Sequence, residues 1–433
     1  MKIVNIVPGF GGTFYCGNCL RDSGFASALR KAGHNVTILP VYLPLTSKGN
    51  VQETPVFYGA VNIYLKQVFP ILRHMPSWME HMLNSQSMLK LAASKAGSTR
   101  TQGLEELTES MLLGKKGRQA KELDELVSFL KHHEKPDVVH FSNALLLGMA
   151  RQIREEVGVP VVCSLQDEDV WVDPMNEPYP ARVWDLLAEK AGDVDAFVAV
   201  SHFFAGVMKK KMRLPDEKVH VVHIGVDPGE YEYFPDPPTP PAIGYLSRIC
   251  EDNGFGILAD AFILLKSGPG FDDLRLMATG GMTGDDKPFF QEQLKKLQKA
   301  GLEKDFSLQE DFSPEKMGAF FKSVSVLSVP VLKGEAFGLY QVEALASGVP
   351  LVQPALGAFP EIIRATDAGL LYEPNTAAAL AECLSVLLSD KRRLAGFRAN
   401  GRKAVEEKFN CSLLTKKMTE VYNQIYACRT SGY

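Results

Sequence analysis

Two glutamates, Glu335 and Glu343, stand in the stretch Gly334-Glu335-Ala336-Phe337-Gly338-Leu339-Tyr340-Gln341-Val342-Glu343-Ala344-Leu345-Ala346-Ser347-Gly348-Val349-Pro350. The apolar run 324–331 before them reads as a strand. Glu335 then falls in the loop at the strand's carboxyl end, and Glu343 about two turns into the following helix. Carboxylates accept hydrogen bonds from sugar and ribose hydroxyls. Gly338, near the helix start, leaves backbone donors open to a diphosphate. For two glutamates at this spacing alone, a surface pair on an ordinary helix is the simpler account. The flanking Phe-Gly-Leu and Ala-Ser-Gly-Val-Pro make a site the better one.

Other stretches carry weaker chemistry. After the first strand comes Pro8-Gly9-Phe10-Gly11-Gly12-Thr13, where Gly11 and Gly12 let the backbone approach a ligand, although a tight turn without one fits equally. The spacing lacks the Gly-x-Gly-x-x-Gly dinucleotide fingerprint, which argues against a nicotinamide dehydrogenase. Cys16 and Cys19 have the spacing of redox or zinc pairs, but no second Cys-x-x-Cys or paired Cys/His motif completes a metal site. Incidental thiols, a redox-sensitive pair and a metal site remain open in that order, and no metal ligand set is assigned. Gln166-Asp167-Glu168-Asp169-Val170-Trp171 combines carboxylates with an aromatic face, a set suited to a sugar acceptor or to a solvated loop. His140 ends a strand, where it lines a site or supports the fold.

These residues need a scaffold, and the alternation of β-rich runs with helical stretches supplies one. Strands are expected at residues 2–7, 35–41, 137–141, 159–165 and 196–200, then at 242–246, 274–278, 323–329, 350–353 and 369–372. A helix is expected over residues 21–32, ended by Gly33. Several strands are apolar without alternation, as in a parallel sheet covered on both faces. Residues 71–135 depart from this pattern, with helical runs at 104–113 and 120–130 and a loop at 96–103. Five of the eight residues 234–241 are proline, which marks a stiff linker.

The 433 residues suit two domains. A formal net charge of -4 gives no pull toward nucleic acid. The basic run Lys209-Lys210-Lys211 leaves contact with a membrane surface open, with a solvated helix face the simpler reading. No apolar run approaches the ~20 residues of a membrane span. Seven scattered cysteines, an odd number, favour a reducing cytoplasm.

Taken together, these stretches resemble the retaining glycosyltransferases of the large family that includes sucrose synthase and bacterial mannosyltransferases, the glycosyltransferase family 4 type. Its signature is a glutamate pair separated by seven residues, as Glu335 and Glu343 are. Pro136-Asp137-Val138-Val139-His140, residues 221–227, Gly244-Tyr245-Leu246-Ser247-Arg248, residues 357–361 and residues 368–371 resemble further family segments. The resemblance implies an α/β GT-B architecture, with two Rossmann-like domains whose parallel sheets face across a cleft. Residues 1–234 would be the acceptor domain, 242–410 the nucleotide-sugar domain, and 411–433 a helix returning to the first.

The resemblance also implies roles. Glu343 would bind the donor ribose, Glu335 the donor sugar, and Arg248 the diphosphate. Gly11, Gly12, Phe337, Gly338, Leu339 and Tyr340 would complete the donor site, and His140, Gln166, Asp167 and Trp171 would face the acceptor. The implied activity is metal-independent transfer, with no cofactor, from a UDP-, GDP- or ADP-linked sugar to a carbohydrate, lipid or small-molecule acceptor. Two positions depart from the family. Asn253 stands where a phosphate-binding lysine is usual, and Gln166 where many relatives carry histidine. Both favour an alternative, a weak or inactive nucleotide-sugar-binding protein of the same fold.

Overall fold

The computed structural model describes residues 1–9, 14–42, 46–47, 50–51 and 101–430. Short runs rich in valine, isoleucine and leucine pair side by side, because β-branched side chains pack well on a pleated surface. Six of them form one sheet: β1 (Lys2–Val7), β2 (Asn35–Pro40), β3 (Val138–Phe141), β4 (Val161–Leu165), β5 (Ala196–Ala199) and β6 (Val219–Val221). Their order is β2-β1-β3-β4-β5-β6, and every pairing is parallel. All residues of β3, β4 and β5 are buried, so both faces of this sheet are covered.

The second sheet comprises β7 (Ala242–Leu246), β8 (Arg275–Thr279), β9 (Phe306–Gln309), β10 (Val326–Leu327), β11 (Leu351–Pro354) and β12 (Gly369–Tyr372). Its order is β9-β8-β7-β10-β11-β12, again parallel throughout. In each sheet the chain first builds outward on one side of a founding strand, β1 or β7. It then crosses to that strand's other side. Such a reversal leaves a crevice at the carboxyl ends of the two strands that flank it, where open α/β sheets bind ligands. In the second sheet those strands are β7 and β10.

The described residues cluster as two compact units. One draws on Met1–Gly12, Asp22–Val222 and Thr415–Tyr433, the other on Thr13–Arg21 and His223–Leu414. Helix α1 (Gly17–Lys31) starts four residues before the expected position, so its first turn belongs to the second unit. The proline-rich stretch also belongs there. It is tied down by the Phe234 N–H, which donates to the Ser347 carbonyl at 3.1 Å. Three further helices matter below: α2 (Phe255–Lys266), α3 (Leu339–Ala346) and α4 (Cys411–Thr430).

Residues 71–100 of the expected helical elaboration, and most of the loop at 96–103, lie outside the described residues. The remainder folds as helices Glu105–Leu112 and Ala120–Phe129, the latter running on through a π-helical turn, Leu130–Glu134. Among the described residues no helix is long and apolar enough to cross a membrane. In the basic run, Lys209 pairs with Asp216 and Lys211 with Asp173, so two of its three charges are already met.

Candidate functional site

Arg248 follows the carboxyl end of β7. Its loop is strapped along the end of β8, with the Ser247 N–H on the Thr279 carbonyl at 3.3 Å and the Ile249 N–H on the Gly281 carbonyl at 2.9 Å. Asn253 does structural work here. Its amide donates to the Ser247 hydroxyl at 2.9 Å and to the Arg248 carbonyl at 3.0 Å, closing the turn that enters α2. The guanidinium contacts the Cys250 sulfur at 3.4 Å and lies 3.6 Å from the Asp286 carboxylate. Burial pulls its pKa down, but Cys250 and Asp286 more than offset that, so it stays a fixed cation.

Glu335 occupies the loop between β10 and α3. Gly357 holds that loop by close backbone approach, since a Cβ on it would fall 2.4 Å from the Glu335 nitrogen. The Glu335 carbonyl accepts the Ala358 N–H at 2.9 Å, and its carboxylate accepts the Tyr340 hydroxyl at 3.1 Å. Backbone and side chain of Glu335 are therefore both fixed. The side chains of Phe337, Leu339 and Tyr340 are buried, with exposures of 1%, 6% and 3%. What this stretch offers a ligand is backbone N–H groups at the start of α3, which have no partner within the helix.

Gly338 caps α3 in the left-handed region, with φ 80°. A Cβ there would meet the Gln341 amide nitrogen and the Tyr340 ring at 3.0 Å and the Glu335 Cγ at 3.2 Å. Gly338→Ala is expected to cost about 1–2 kcal/mol in strain and to push Glu335 and Tyr340 out of place. The check is a pair of measurements on the variant, a thermal melt and nucleotide affinity. An alanine variant with unchanged melt and unchanged affinity would show that the cap is not positioned as described.

Helix α3 is buried at every residue, and Glu343 is only 8% exposed. Its two oxygens are engaged separately. The Tyr15 hydroxyl donates to Oε2 at 2.5 Å and the Tyr231 hydroxyl to Oε1 at 2.9 Å. Burial pushes the carboxyl's pKa up, while the two hydroxyls hold it down. Sequence reasoning did not single out either tyrosine. Nothing in their spacing links them to a helix more than 100 residues away. Gly280-Gly281 at the end of β8 was also missed, although a glycine pair after a strand was a readable signal.

Gly11 and Gly12 lie outside the described residues. In the first unit, His140 is 4% exposed, with Nδ1 2.6 Å from the Tyr422 hydroxyl on α4 and Nε2 2.9 Å from the Ser164 hydroxyl. One ring nitrogen thus ties β3 to α4 and the other ties it to β4. Gln166, 5% exposed, donates its amide to the Ser142 carbonyl at 2.7 Å. Asp167 takes the left-handed conformation, φ 59°, just past β4. Glu168 holds the adjacent strand ends together, accepting the Ala144 N–H and the Gln166 N–H, each at 2.8 Å. Burial pushes its carboxyl up to about 8. The Trp171 indole donates to the Thr108 hydroxyl at 3.2 Å.

Two family descriptions match the chain in tandem: Glycosyltransferase Family 4 over residues 110–230 and Glycosyl transferases group 1 over residues 240–390. The chain belongs to these glycosyltransferases. Among curated proteins it is 23% identical, over 56% of its length and 67% of the relative's, to the lipopolysaccharide core biosynthesis mannosyltransferase LpsB of Rhizobium meliloti. It is 31% identical, over 43% of its length and 47% of the relative's, to the phosphatidyl-myo-inositol mannosyltransferase of Mycobacterium leprae. The chain thus spans about half to two thirds of these relatives. Among solved structures, sucrose-phosphate synthase from Thermosynechococcus elongatus superposes with a TM-score of 0.72 at 16% identity, covering 99% of this chain and 100% of that one. Anabaena HepE in complex with UDP does so with a TM-score of 0.67 at 15% identity, covering 98% and 100%. The architecture is GT-B, as its two parallel six-stranded sheets indicate.

Proposed function

We propose that this protein transfers a sugar from a nucleoside diphosphate sugar to an acceptor, with retention of anomeric configuration. The observation that carries the reading is that Arg248 follows the carboxyl end of β7, and that the Glu335 loop after β10 leads into the N-terminus of α3, which carries Glu343. As the bond between the sugar's anomeric carbon and the diphosphate breaks, negative charge collects on the leaving oxygens. Arg248 and the first N–H groups of α3 are proposed to meet that charge. A fixed guanidinium does for the diphosphate what a divalent cation does elsewhere, so the reaction is proposed to be metal-independent. Glu335, held by Tyr340, takes hydroxyls of the donor sugar, and Glu343 takes the ribose. Both curated relatives above are described as mannosyltransferases, and HepE binds UDP, which supports a nucleotide sugar as donor. His140, Gln166, Asp167 and Trp171 are proposed for the acceptor. The site of action is proposed to be cytoplasmic.

A weaker alternative draws on Asn253, whose amide is spent on Ser247 and Arg248. With no lysine there, the diphosphate has one cation fewer, and the protein could hold a nucleotide sugar while turning it over slowly. Calorimetry with UDP, GDP, ADP and their sugar forms tests both readings. One nucleotide series is expected to bind, and Glu343→Ala to weaken it about 10- to 150-fold, the worth of a charge-assisted hydrogen bond. Binding by none of them would sink the donor assignment. Binding without release of nucleoside diphosphate in an acceptor screen would favour the alternative.

A further inference from the structure

Residues 14–19 touch both groups proposed to anchor the donor. The Tyr15 N–H donates to the Gly280 carbonyl at 2.7 Å, and Phe14 forms an antiparallel bridge with Gly281. This lays the segment along the end of β8. The Phe14 ring lies 6.0 Å from the guanidinium carbon of Arg248, and the Tyr15 hydroxyl sits on Glu343 Oε2. A ribose approaching Glu343 therefore meets a carboxylate whose two oxygens each already hold a tyrosine hydroxyl. Tyr231 is held in place by its own carbonyl, which accepts from Arg402 at 3.0 Å. Tyr15 is held by its N–H on Gly280 and, on its other side, by the next residue, Cys16, which is bonded to Cys19.

That bond ties the chain just after Tyr15 to the first turn of α1, and both cysteines are partly exposed. The other five cysteines are free thiols, so this is the one disulfide among the described residues. We propose that Cys16 and Cys19 form a thiol–disulfide exchange site for a dithiol reductant, and that their closed state keeps Tyr15 on Glu343 and nucleoside diphosphates off it. The inference rests on the donor reading given above. In the exchange, a thiolate of the reductant attacks the Cys19 sulfur and forms a mixed disulfide. Cys16 leaves as a thiolate, stabilised by the Cys19 N–H, which lies 3.4 Å from its sulfur. The reductant's second thiol then closes its own disulfide and releases Cys19. Two electrons and two protons pass to the protein, and the reductant ends as a cyclic disulfide. Freed from the cross-link, residues 14–16 can rotate Tyr15 off the carboxylate.

The test is the affinity of the full chain for UDP, GDP and ADP, measured by calorimetry after closure with a disulfide oxidant and again after dithiothreitol, with thiols counted in each state. Reduction is expected to release two thiols and tighten binding of the preferred nucleotide about tenfold. The double variant Cys16→Ser/Cys19→Ser should bind like reduced wild type with or without dithiothreitol, and Tyr15→Phe should do so even when oxidised. Equal affinity in both states, with binding still lost in Glu343→Ala, would overturn the switch and leave the donor site standing. Weaker binding by Tyr15→Phe would make Tyr15 part of the nucleotide site rather than its occupant, which also overturns the proposal. So would failure of the oxidant to close the pair. No binding by any nucleotide to any form would remove the switch and the donor reading together.

Discussion

Glu335→Gln is expected to lower turnover by about 10²–10³-fold while leaving nucleotide affinity within a few-fold of wild type. The magnitude is that of removing one pre-placed charged or polar partner from a site where charge develops, about 2.7–4 kcal/mol. The direction follows from what Glu335 touches. Its carboxylate accepts the Tyr340 hydroxyl, and its carbonyl is pinned by the Ala358 N–H. Glutamine can keep the shape and the tyrosine contact. It cannot supply the negative charge that strengthens hydrogen bonds to sugar hydroxyls as the anomeric carbon becomes electron-poor. Glu343 is expected to behave in the opposite way, with affinity falling first. Release of nucleoside diphosphate from the nucleotide sugar chosen by the binding panel, measured alongside affinity, separates the two. A Glu335→Gln variant that loses affinity as steeply as turnover would place the nucleotide, not the sugar, at Glu335.

The contrast between these two carboxylates could be read only in part from the chain. Their positions relative to the strand and helix were legible, because an apolar run followed by a glycine-flanked helix start is a local pattern. Strands at 2–7, 242–246 and 369–372 were placed to the residue for the same reason. The edge strands β6 and β9 were not anticipated. Phe306–Gln309 is polar at alternate residues and only partly buried, so it lacks the continuous apolar signal of a central strand. The expected strand at 323–329 shrinks to Val326–Leu327, since the chain turns out of the sheet early to carry the Glu335 loop. Asn253 was legible as a missing lysine, but its two hydrogen bonds to the Arg248 turn were not, because they depend on the loop's path. The tyrosines on Glu343 lie 328 and 112 residues from it in sequence, and no local rule reaches that far.

One long-range interaction of this kind also holds the second unit together. Arg398 is 1% exposed and faces carbonyls rather than a carboxylate. One terminal nitrogen donates to the Phe234 carbonyl at 2.8 Å and the other to the Val324 carbonyl at 2.9 Å. Burial pulls its pKa down to about 10, so it still carries its charge at neutral pH. Arg398→Met keeps the apolar stem but leaves two buried carbonyls without a donor. Each costs about 1–3 kcal/mol, so the variant is expected to lose about 2–6 kcal/mol. For a unit of this size that is a fall of about 4–24 °C in the melting midpoint.

The effect should extend to the candidate site. Phe234 closes a short segment that starts at Tyr231, whose hydroxyl holds Glu343. That segment is pinned at one end by Arg402 on the Tyr231 carbonyl and at the other by Arg398 on the Phe234 carbonyl. Loosening the second pin should let Tyr231 leave the carboxylate, so nucleotide affinity should change at temperatures well below the melt. Arg398→Lys is the informative companion. A single ammonium can reach one carbonyl but not both, so it should recover part of the stability and less of the geometry. Melting of Arg398→Met within about 3 °C of wild type would mean that the two carbonyls find other donors and that Arg402 and the Phe234 N–H on Ser347 are enough to hold the segment.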